Sequence, residues 1–300
     1  MLFSPRLAPL ALCLLVSLAG CSASGPRGER AAAPREGIDR YRLLAGESRS
    51  LAGCRYAYRV YEPAEARATV MLGHGFLRDQ DRLVDLARAL ANAGFRAVTL
   101  DFCNMRPWNG HHRRNARDLR ALAARLVAGR GGADDAADRS ADHAPTGVVY
   151  AGFSAGALAA LLAGAEDRAA LGVVTLDLVD QGGLARTALA TLEAPLIGLQ
   201  GPPSACNANG NARPAFAARP DAILETFAGA SHCEFEFPTD RLCELACGDE
   251  DARADDARER AEIVRAVVAS VERLAGGGEG SRNRARPDRP PRPHATARPW

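Results

Sequence analysis

The stretch GVVYAGFSAGALAALLAGA, residues 147–165, joins an apolar run to a segment rich in Ala and Leu through the motif Gly-x-Ser-x-Gly. The apolar run predicts a buried strand, and the segment after Ser154 predicts a helix. A sharp strand-to-helix turn brings backbone close to backbone, so small residues must flank the central serine. The turn also places the hydroxyl at the top of a sheet, beside a helix N-terminus. We therefore interpret Ser154 as a nucleophile.

Short apolar runs alternate with helical patterns on both sides of this stretch, between residues 38 and 275. The predicted strands around it cover residues 55–61, 69–72, 95–100, 172–176, 195–199 and 222–227. The composition, 47% hydrophobic and 25% charged, excludes a disordered or fibrous chain. The alternation predicts an α/β fold with a mostly parallel sheet and helices on both faces. Ligands of such sheets bind at the carboxyl ends of the strands.

His232 is the histidine placed to serve Ser154 as a base. A serine hydroxyl is a poor nucleophile until a base takes its proton, and with this serine motif the histidine comes late in the chain. His232 follows the predicted strand 222–227 and fits that position. The other histidines lie in the tail, in a polar loop, before an early helix or at an early strand end: His294, His143, His111, His112 and His74.

A carboxylate is needed to orient the histidine and to stabilise its charged form. The loop after the predicted strand 195–199 contains none through residue 207. The preceding strand, 172–176, ends at Asp177, and Asp180 follows three residues later. We predict that Asp177 holds His232 and keep Asp180 as the alternative. Either carboxylate could instead cap a helix or be solvated.

Two backbone amides are candidates for an oxyanion hole, because the negative charge that develops on a substrate oxygen requires fixed N–H donors. Gly73-His74-Gly75-Phe76 ends a buried strand where such a donor is needed. We assign the amides of Phe76 and of Ala155. Three apolar residues after another strand end either line an acyl pocket or pack in the core: Phe102, Met105 and Trp108.

Residues 1–20 have the layout of a secretory signal: one arginine (Arg6), a short apolar centre and small residues at the cleavage point. Leu18-Ala19-Gly20-Cys21 resembles the bacterial lipoprotein box, in which the cysteine carries fatty acids such as palmitate and becomes the N-terminus. An ordinary signal peptide is the alternative. Residues 21–37 are predicted to be a flexible tether to the membrane. Ser22, in the place of an Asp that retains lipoproteins at the inner membrane, favours the outer membrane.

Residues 276–300 are rich in Pro and Arg and contain almost nothing apolar, so we predict a disordered tail. A basic tail could bind phospholipid headgroups or anionic glycans, or it is simply an unstructured end. The formal net charge of the whole chain is only +2, which gives no reason to expect a nucleic-acid partner. We expect a monomer.

Eight cysteines are present. Cys13 leaves with the signal and Cys21 would carry lipid, which leaves Cys54, Cys103, Cys206, Cys233, Cys243 and Cys247. An even number of cysteines in an exported chain predicts disulfides. A zinc cluster is the alternative, but its spacing matches no common zinc site; it would use His232, Cys233, Cys243 and Cys247.

The motifs His-Gly-Phe (74–76), Gly-Phe-Ser-Ala-Gly (152–156) and Gly-Ala-Ser-His (229–232) together resemble the α/β-hydrolase superfamily, over nearly all of residues 40–275. The resemblance is greatest to its lidless branch, which includes dienelactone hydrolases, cutinase-like polyester hydrolases and chlorophyllases. In polyester hydrolases the acid follows the later strand, whereas the segment 176–179 is more similar to the chlorophyllase pattern. By resemblance, Cys206 and Cys233 would form a disulfide that braces the histidine. The resemblance implies no metal and no organic cofactor.

The expected activity is therefore that of an exported, lipid-anchored serine hydrolase acting on small or polymeric carboxylic esters through an acyl-enzyme. A thioesterase, an amidase or an acyltransferase would use the same residues. The alternative from another class is a non-catalytic envelope lipoprotein that uses the fold as a binding module, which a broken triad would favour.

Overall fold

The computed structural model describes residues 40–103, 111–128, 145, 147–247 and 256–284. The predicted signal segment, Cys21, the predicted tether, Met105, Trp108 and residues 285–300 lie outside the described residues, so the predictions made for them stay predictions.

One sheet of eight strands organises the described residues: β1 (Tyr41–Arg49), β2 (Arg55–Pro63), β3 (Thr69–Gly73), β4 (Arg96–Leu100), β5 (Val148–Phe153), β6 (Ala170–Leu176), β7 (Leu196–Gln200) and β8 (Ile223–Thr226). Their order across the sheet is β1-β2-β4-β3-β5-β6-β7-β8. β1 and β2 are antiparallel to their neighbours, and β3 to β8 run parallel. The predicted mostly parallel sheet is confirmed.

Helices cover both faces of this sheet: α1 (Val84–Asn92), α2 (His112–Val127), α3 (Ala155–Glu166), α4 (Leu184–Leu189), α5 (Arg213–Ala217), α6 (Arg241–Cys247) and α7 (Asp256–Arg284). The buried side chains of α2, α3, α4 and α5 join the core on one face, and those of α1 and α7 join the core on the other. α3 is buried on nearly all sides, which explains why its sequence is apolar throughout rather than amphipathic. None of the described helices is long and apolar enough to span a membrane.

α7 crosses the sheet from the carboxyl edge of the strands to the amino edge. Near its start, Arg260 lies 3.7 Å from Glu234 in the loop after β8. Further along, Glu272 pairs with Arg67, just before β3, at 3.5 Å. Between these contacts, apolar side chains one helical turn apart, among them Val267, are buried against the sheet.

α7 also corrects the predicted start of the C-terminal tail. The helix continues to Arg284, whereas the sequence led us to expect disorder from Gly276. Three consecutive glycines disfavour a helix, but a helix that is already nucleated adds a hydrogen bond with each further residue and can extend across them. The part of the predicted tail from 285 onward is outside the described residues.

The six cysteines among the described residues form three disulfides: Cys54–Cys103, Cys206–Cys247 and Cys233–Cys243. The prediction of disulfides is confirmed, but the predicted pair Cys206–Cys233 is wrong. The reason is α6, which carries two cysteines four residues apart and therefore on one helix face. Each takes one of the two loop cysteines, so the loops are joined through α6 rather than to each other.

Candidate active site

Ser154 occupies a strained turn between β5 and α3. Its φ is 53° and its ψ is −115°, a conformation that non-glycine residues rarely adopt. The flanking glycines make the turn possible. A Cβ at Gly152 would lie 2.5 Å from the Gly156 carbonyl oxygen, and one at Gly156 would lie 2.2 Å from the Gly73 carbonyl oxygen. The Ser154 amide donates to the Leu176 carbonyl at 2.8 Å, which ties the turn to the neighbouring strand.

His232 reaches Ser154 from the loop that follows β8, which we call the histidine loop (residues 227–240). Its Nε2 lies 3.1 Å from Ser154 Oγ, and the ring is buried. The loop is preorganised by a capping box: the Ser231 side chain accepts from the Cys233 amide, and Glu234 accepts from the Ser231 amide at 2.6 Å. His232 is therefore held on a short 3₁₀ turn rather than on a free loop.

Asp177, directly after β6, completes the series of hydrogen-bonded side chains that begins with Ser154 and His232. It is fully buried, and its Oδ2 lies 2.5 Å from His232 Nδ1. Its other oxygen, Oδ1, accepts from the Gly201 amide at 3.1 Å and from Asn207 Nδ2 at 3.2 Å. These donors come from the loop after β7 (residues 201–212), which we call the β7–α5 loop.

Asp180, the alternative acid, has a different environment. Its Oδ1 accepts from the Ala185 amide at 2.8 Å, in the first turn of α4. Its backbone is bonded to the Asn211 side chain through both N–H and C=O. The structure thus places Asp177 at the histidine, and Asp180 at the start of a helix.

The two amides assigned to an oxyanion hole belong to the two segments that adjoin the Ser154 turn. Phe76 follows β3, the parallel neighbour of β5, and Ala155 is the first residue of α3. Among the described residues, neither amide donates to an acceptor. Fixed donors without a partner at the carboxyl edge of the sheet are what a developing oxyanion requires.

His74 holds the loop that carries Phe76. Its Nε2 accepts from the Phe102 amide at 2.9 Å, so the proton is on Nδ1, which donates to the Gly75 carbonyl at 2.9 Å. Burial lowers the pKa of His74, so the ring is neutral at pH 7. Phe102 packs on this ring at a centroid distance of 4.8 Å. Of the two alternatives for Phe102, packing in the core or lining an acyl pocket, this contact favours the first.

A buried ion pair joins the Phe76 loop to the histidine loop. Arg78 donates to both oxygens of the fully buried Glu236, at 2.6 and 2.8 Å, and contacts Asp240 at 2.8 Å. Burial raises the pKa of Glu236, while Arg78 acts to lower it. The hydrogen bond from Arg78 lowers the pKa of Asp240. The residues on both sides of Ser154 are thus fixed relative to each other by charge-assisted hydrogen bonds.

The sequence analysis found Ser154, His232 and Asp177 but missed the groups that hold them. Asn207, Arg78 and Glu236 are single polar residues in loops, and no motif marks them. A signal for Asn207 is present in the sequence, because the loop after β7 follows a predicted strand end and carries this amide side chain where a carboxylate is absent. The sulfurs of the proposed zinc ligands Cys233, Cys243 and Cys247 lie within 4.8 Å of one another, but all three are in disulfides.

Comparison with known proteins found no matching family model and no matching curated protein. Solved structures do match. A dienelactone hydrolase from Anabaena variabilis is 18% identical, with a TM-score of 0.57 over 77% of this chain and 96% of that one. Brefeldin A esterase, a bacterial homologue of human hormone-sensitive lipase, is 17% identical, with a TM-score of 0.55 over 82% and 80%.

The esterase domain of a Rhodothermus marinus protein is 17% identical, with a TM-score of 0.51 over 77% of this chain and 98% of that one. At these identities the similarity concerns the fold, and the sheet order and helix placement described above agree with it. The resemblance found in the sequence is confirmed at that level: this chain has the α/β-hydrolase fold.

Proposed function

We propose that the protein is a serine hydrolase that cleaves carboxylic esters. The observation that carries the proposal is the continuous hydrogen-bonded chain from Ser154 Oγ through His232 to the buried Asp177, at 3.1 and 2.5 Å. The three solved structures of similar fold, one hydrolase and two esterases, support the same class of reaction.

In the first half of the proposed reaction, Ser154 Oγ attacks the ester carbonyl carbon while His232 Nε2 takes the hydroxyl proton. The carbonyl oxygen becomes negative and is stabilised by the amides of Phe76 and Ala155. The imidazolium is stabilised by Asp177. When the tetrahedral intermediate collapses, the bond to the leaving oxygen breaks, and His232 returns its proton to that oxygen. The products are an alcohol and an acyl group on Ser154.

In the second half, water replaces the alcohol. His232 Nε2 takes a proton from water, and the resulting nucleophile attacks the acyl carbon. The same two amides stabilise the second oxyanion. Collapse breaks the bond to Ser154 Oγ, which recovers its proton from His232, and the acid is released. The same base and the same pair of amide donors thus serve both halves, whereas Ser154 Oγ is the nucleophile in the first half and the leaving group in the second.

We also propose that the protein is exported and anchored by lipid on Cys21, in the outer membrane. The signal-like segment and the Leu-Ala-Gly-Cys motif support this location. The three disulfides support it independently, because such bonds persist in oxidising compartments and are rare in the cytosol. Mass spectrometry of the N-terminal peptide from a membrane fraction tests the anchor, and an unmodified Cys21 would refute it.

The catalytic proposal is tested by hydrolysis of p-nitrophenyl acetate, butyrate and octanoate by protein beginning at Ser24, beside the Ser154→Ala variant. We expect activity that is lost in the variant, and labelling of Ser154 by a fluorophosphonate probe. The dependence on chain length will report the size of the acyl pocket. A folded protein that hydrolyses no ester and takes up no probe would refute the proposal and favour the binding module.

A further inference from the structure

The carboxylate of Asp177 is held on the side away from His232 by one side chain, that of Asn207. Asn207 is buried, and all of its hydrogen-bonding capacity is used. Its Nδ2 donates to Asp177 Oδ1 at 3.2 Å and to the Pro202 carbonyl at 2.7 Å. Its Oδ1 accepts from the amides of Ser204 and Gly210, at 2.8 and 2.9 Å. The side chain is therefore fixed in one orientation by its own loop.

The bonds of Asn207 can be made only by an amide. The side facing Asp177 and Pro202 must donate twice, and the side facing the two loop amides must accept twice. A carboxylate at this position would meet the Asp177 carboxylate and a carbonyl without a proton to offer. The adjacent residue, Cys206, is bonded to Cys247 of α6, so the loop is also anchored covalently beside this contact.

The arrangement matters for the direction in which Asp177 Oδ2 points. A carboxylate can rotate about its last side-chain bond, and that rotation would take Oδ2 away from His232 Nδ1. Asn207, with the Gly201 amide at 3.1 Å, holds Oδ1 and thereby opposes the rotation. Asp177 follows β6 with φ at 42°, a strained backbone conformation that does not by itself fix the direction of the side chain.

We propose that Asn207 is a positioning residue that keeps Asp177 aligned with His232 during turnover. The proposal rests on the ester hydrolysis proposed above. Asn207 does not touch Ser154, and it acts on the reaction only through the carboxylate. Its loss should therefore lower kcat, because a misaligned Asp177 stabilises the imidazolium less well, and should leave KM nearly unchanged.

The test uses Asn207→Ala and Asn207→Asp, with Asn211→Ala as the matched control. Asn211 is the same residue type in the same loop, but its partner is the Asp180 backbone. Since a hydrogen bond to a charged group is lost, we expect kcat to fall roughly tenfold to a hundredfold in both Asn207 variants. The control should stay within about twofold of the parent.

Asn207→Asp keeps the two loop amides satisfied and is assayed up to pH 9, where the new carboxyl beside Asp177 is least able to keep a proton and donate it. It decides between the outcomes if the alanine variant does not fold. Near-UV circular dichroism at the assay temperature reports folding for each variant. A folded Asn207→Ala or Asn207→Asp variant whose kcat stays within about threefold of the parent would overturn the proposal.

A double-mutant cycle separates positioning from general damage to the loop. In an Asp177→Asn background, the Asn207 substitution should change the fluorophosphonate labelling rate of Ser154 by less than about threefold, because the group it acts through is already altered. An undiminished loss in that background would overturn the proposal and leave ester hydrolysis standing. A folded parent that is inert to esters and to the probe would instead overturn ester hydrolysis, and the role of Asn207 with it.

Discussion

Replacing Asp177 by asparagine should leave a folded protein with the wrong histidine tautomer. The Gly201 amide and Asn207 Nδ2 both donate to the position of Oδ1, so an asparagine must place its carbonyl oxygen there. Its NH₂ group then faces His232 Nδ1 at the present 2.5 Å contact and can only donate to it. This favours the imidazole with its proton on Nε2, next to Ser154, where the base must be unprotonated.

The loss should be large because both functions of the carboxylate disappear, the choice of tautomer and the stabilisation of the imidazolium. We expect kcat for p-nitrophenyl butyrate to fall by about 10⁴, by analogy with substitutions of this kind in serine proteases. The matched control is Asp180→Asn, where the oxygen of the amide side chain can still accept from the Ala185 amide, and kcat should stay within about threefold.

The assay is steady-state hydrolysis between pH 6 and 9, with thermal unfolding measured for both variants to show that they are folded. The reasoning about the tautomer is refuted if folded Asp177→Asn keeps more than about a tenth of the parent kcat. It is equally refuted if Asp180→Asn loses as much as Asp177→Asn does.

Three further expectations concern stability and covalent structure. Gly156→Ala should lower the free energy of unfolding in urea by at least about 2 kcal/mol, because the added Cβ would overlap backbone atoms. Gly276→Ala, on α7 with open space around it, should raise that free energy by about 0.5–1 kcal/mol. A more stable Gly156→Ala variant would contradict the packing argument. Arg78→Met should cost about 3 kcal/mol at pH 8 by leaving Glu236 buried and unpaired. Burial raises the pKa of Glu236 and Arg78 acts to lower it, so the folded variant binds the Glu236 proton more tightly than the folded parent does. The deficit should therefore shrink as the pH is lowered towards 5, and a deficit that grows in acid would be evidence against the pair. Peptide mapping without reduction should recover the three disulfides described above, and a peptide joining the β7–α5 loop directly to the histidine loop would contradict them.

The parallel part of the sheet was predictable because its strands are buried on both faces. A strand such as β3 or β5 then appears as a continuous apolar run, and each such run ends near a chemically distinctive residue. β1 was missed for the converse reason. It lies at the edge of the sheet, pairs only with β2, and is largely exposed, so neither an apolar run nor a clean alternation marks it.

The positions of Ser154, His232 and Asp177 could be proposed from the sequence because they follow strands whose order is constrained. The residues that hold these three side chains in place could not be proposed in this way. Asn207 contributes through a loop whose shape depends on a disulfide to α6, and that pairing depends on where a short helix docks. Such information lies in contacts between segments distant along the chain, which neither periodicity nor spacing records.

The course of α7 has a consequence for handling the protein on a surface. The helix starts beside the histidine loop and passes the start of β3 before it continues to Arg284, so its far end leaves the molecule at the amino edge of the sheet. Ser154 is at the carboxyl edge, on the other side of the core. A bead, electrode or carrier protein coupled through a cysteine introduced near Arg284 should therefore sit behind the sheet and leave the approach of bulky substrates to Ser154 open. Coupling through α6, which is bonded to both loops of the site, would bring the support to the catalytic edge instead.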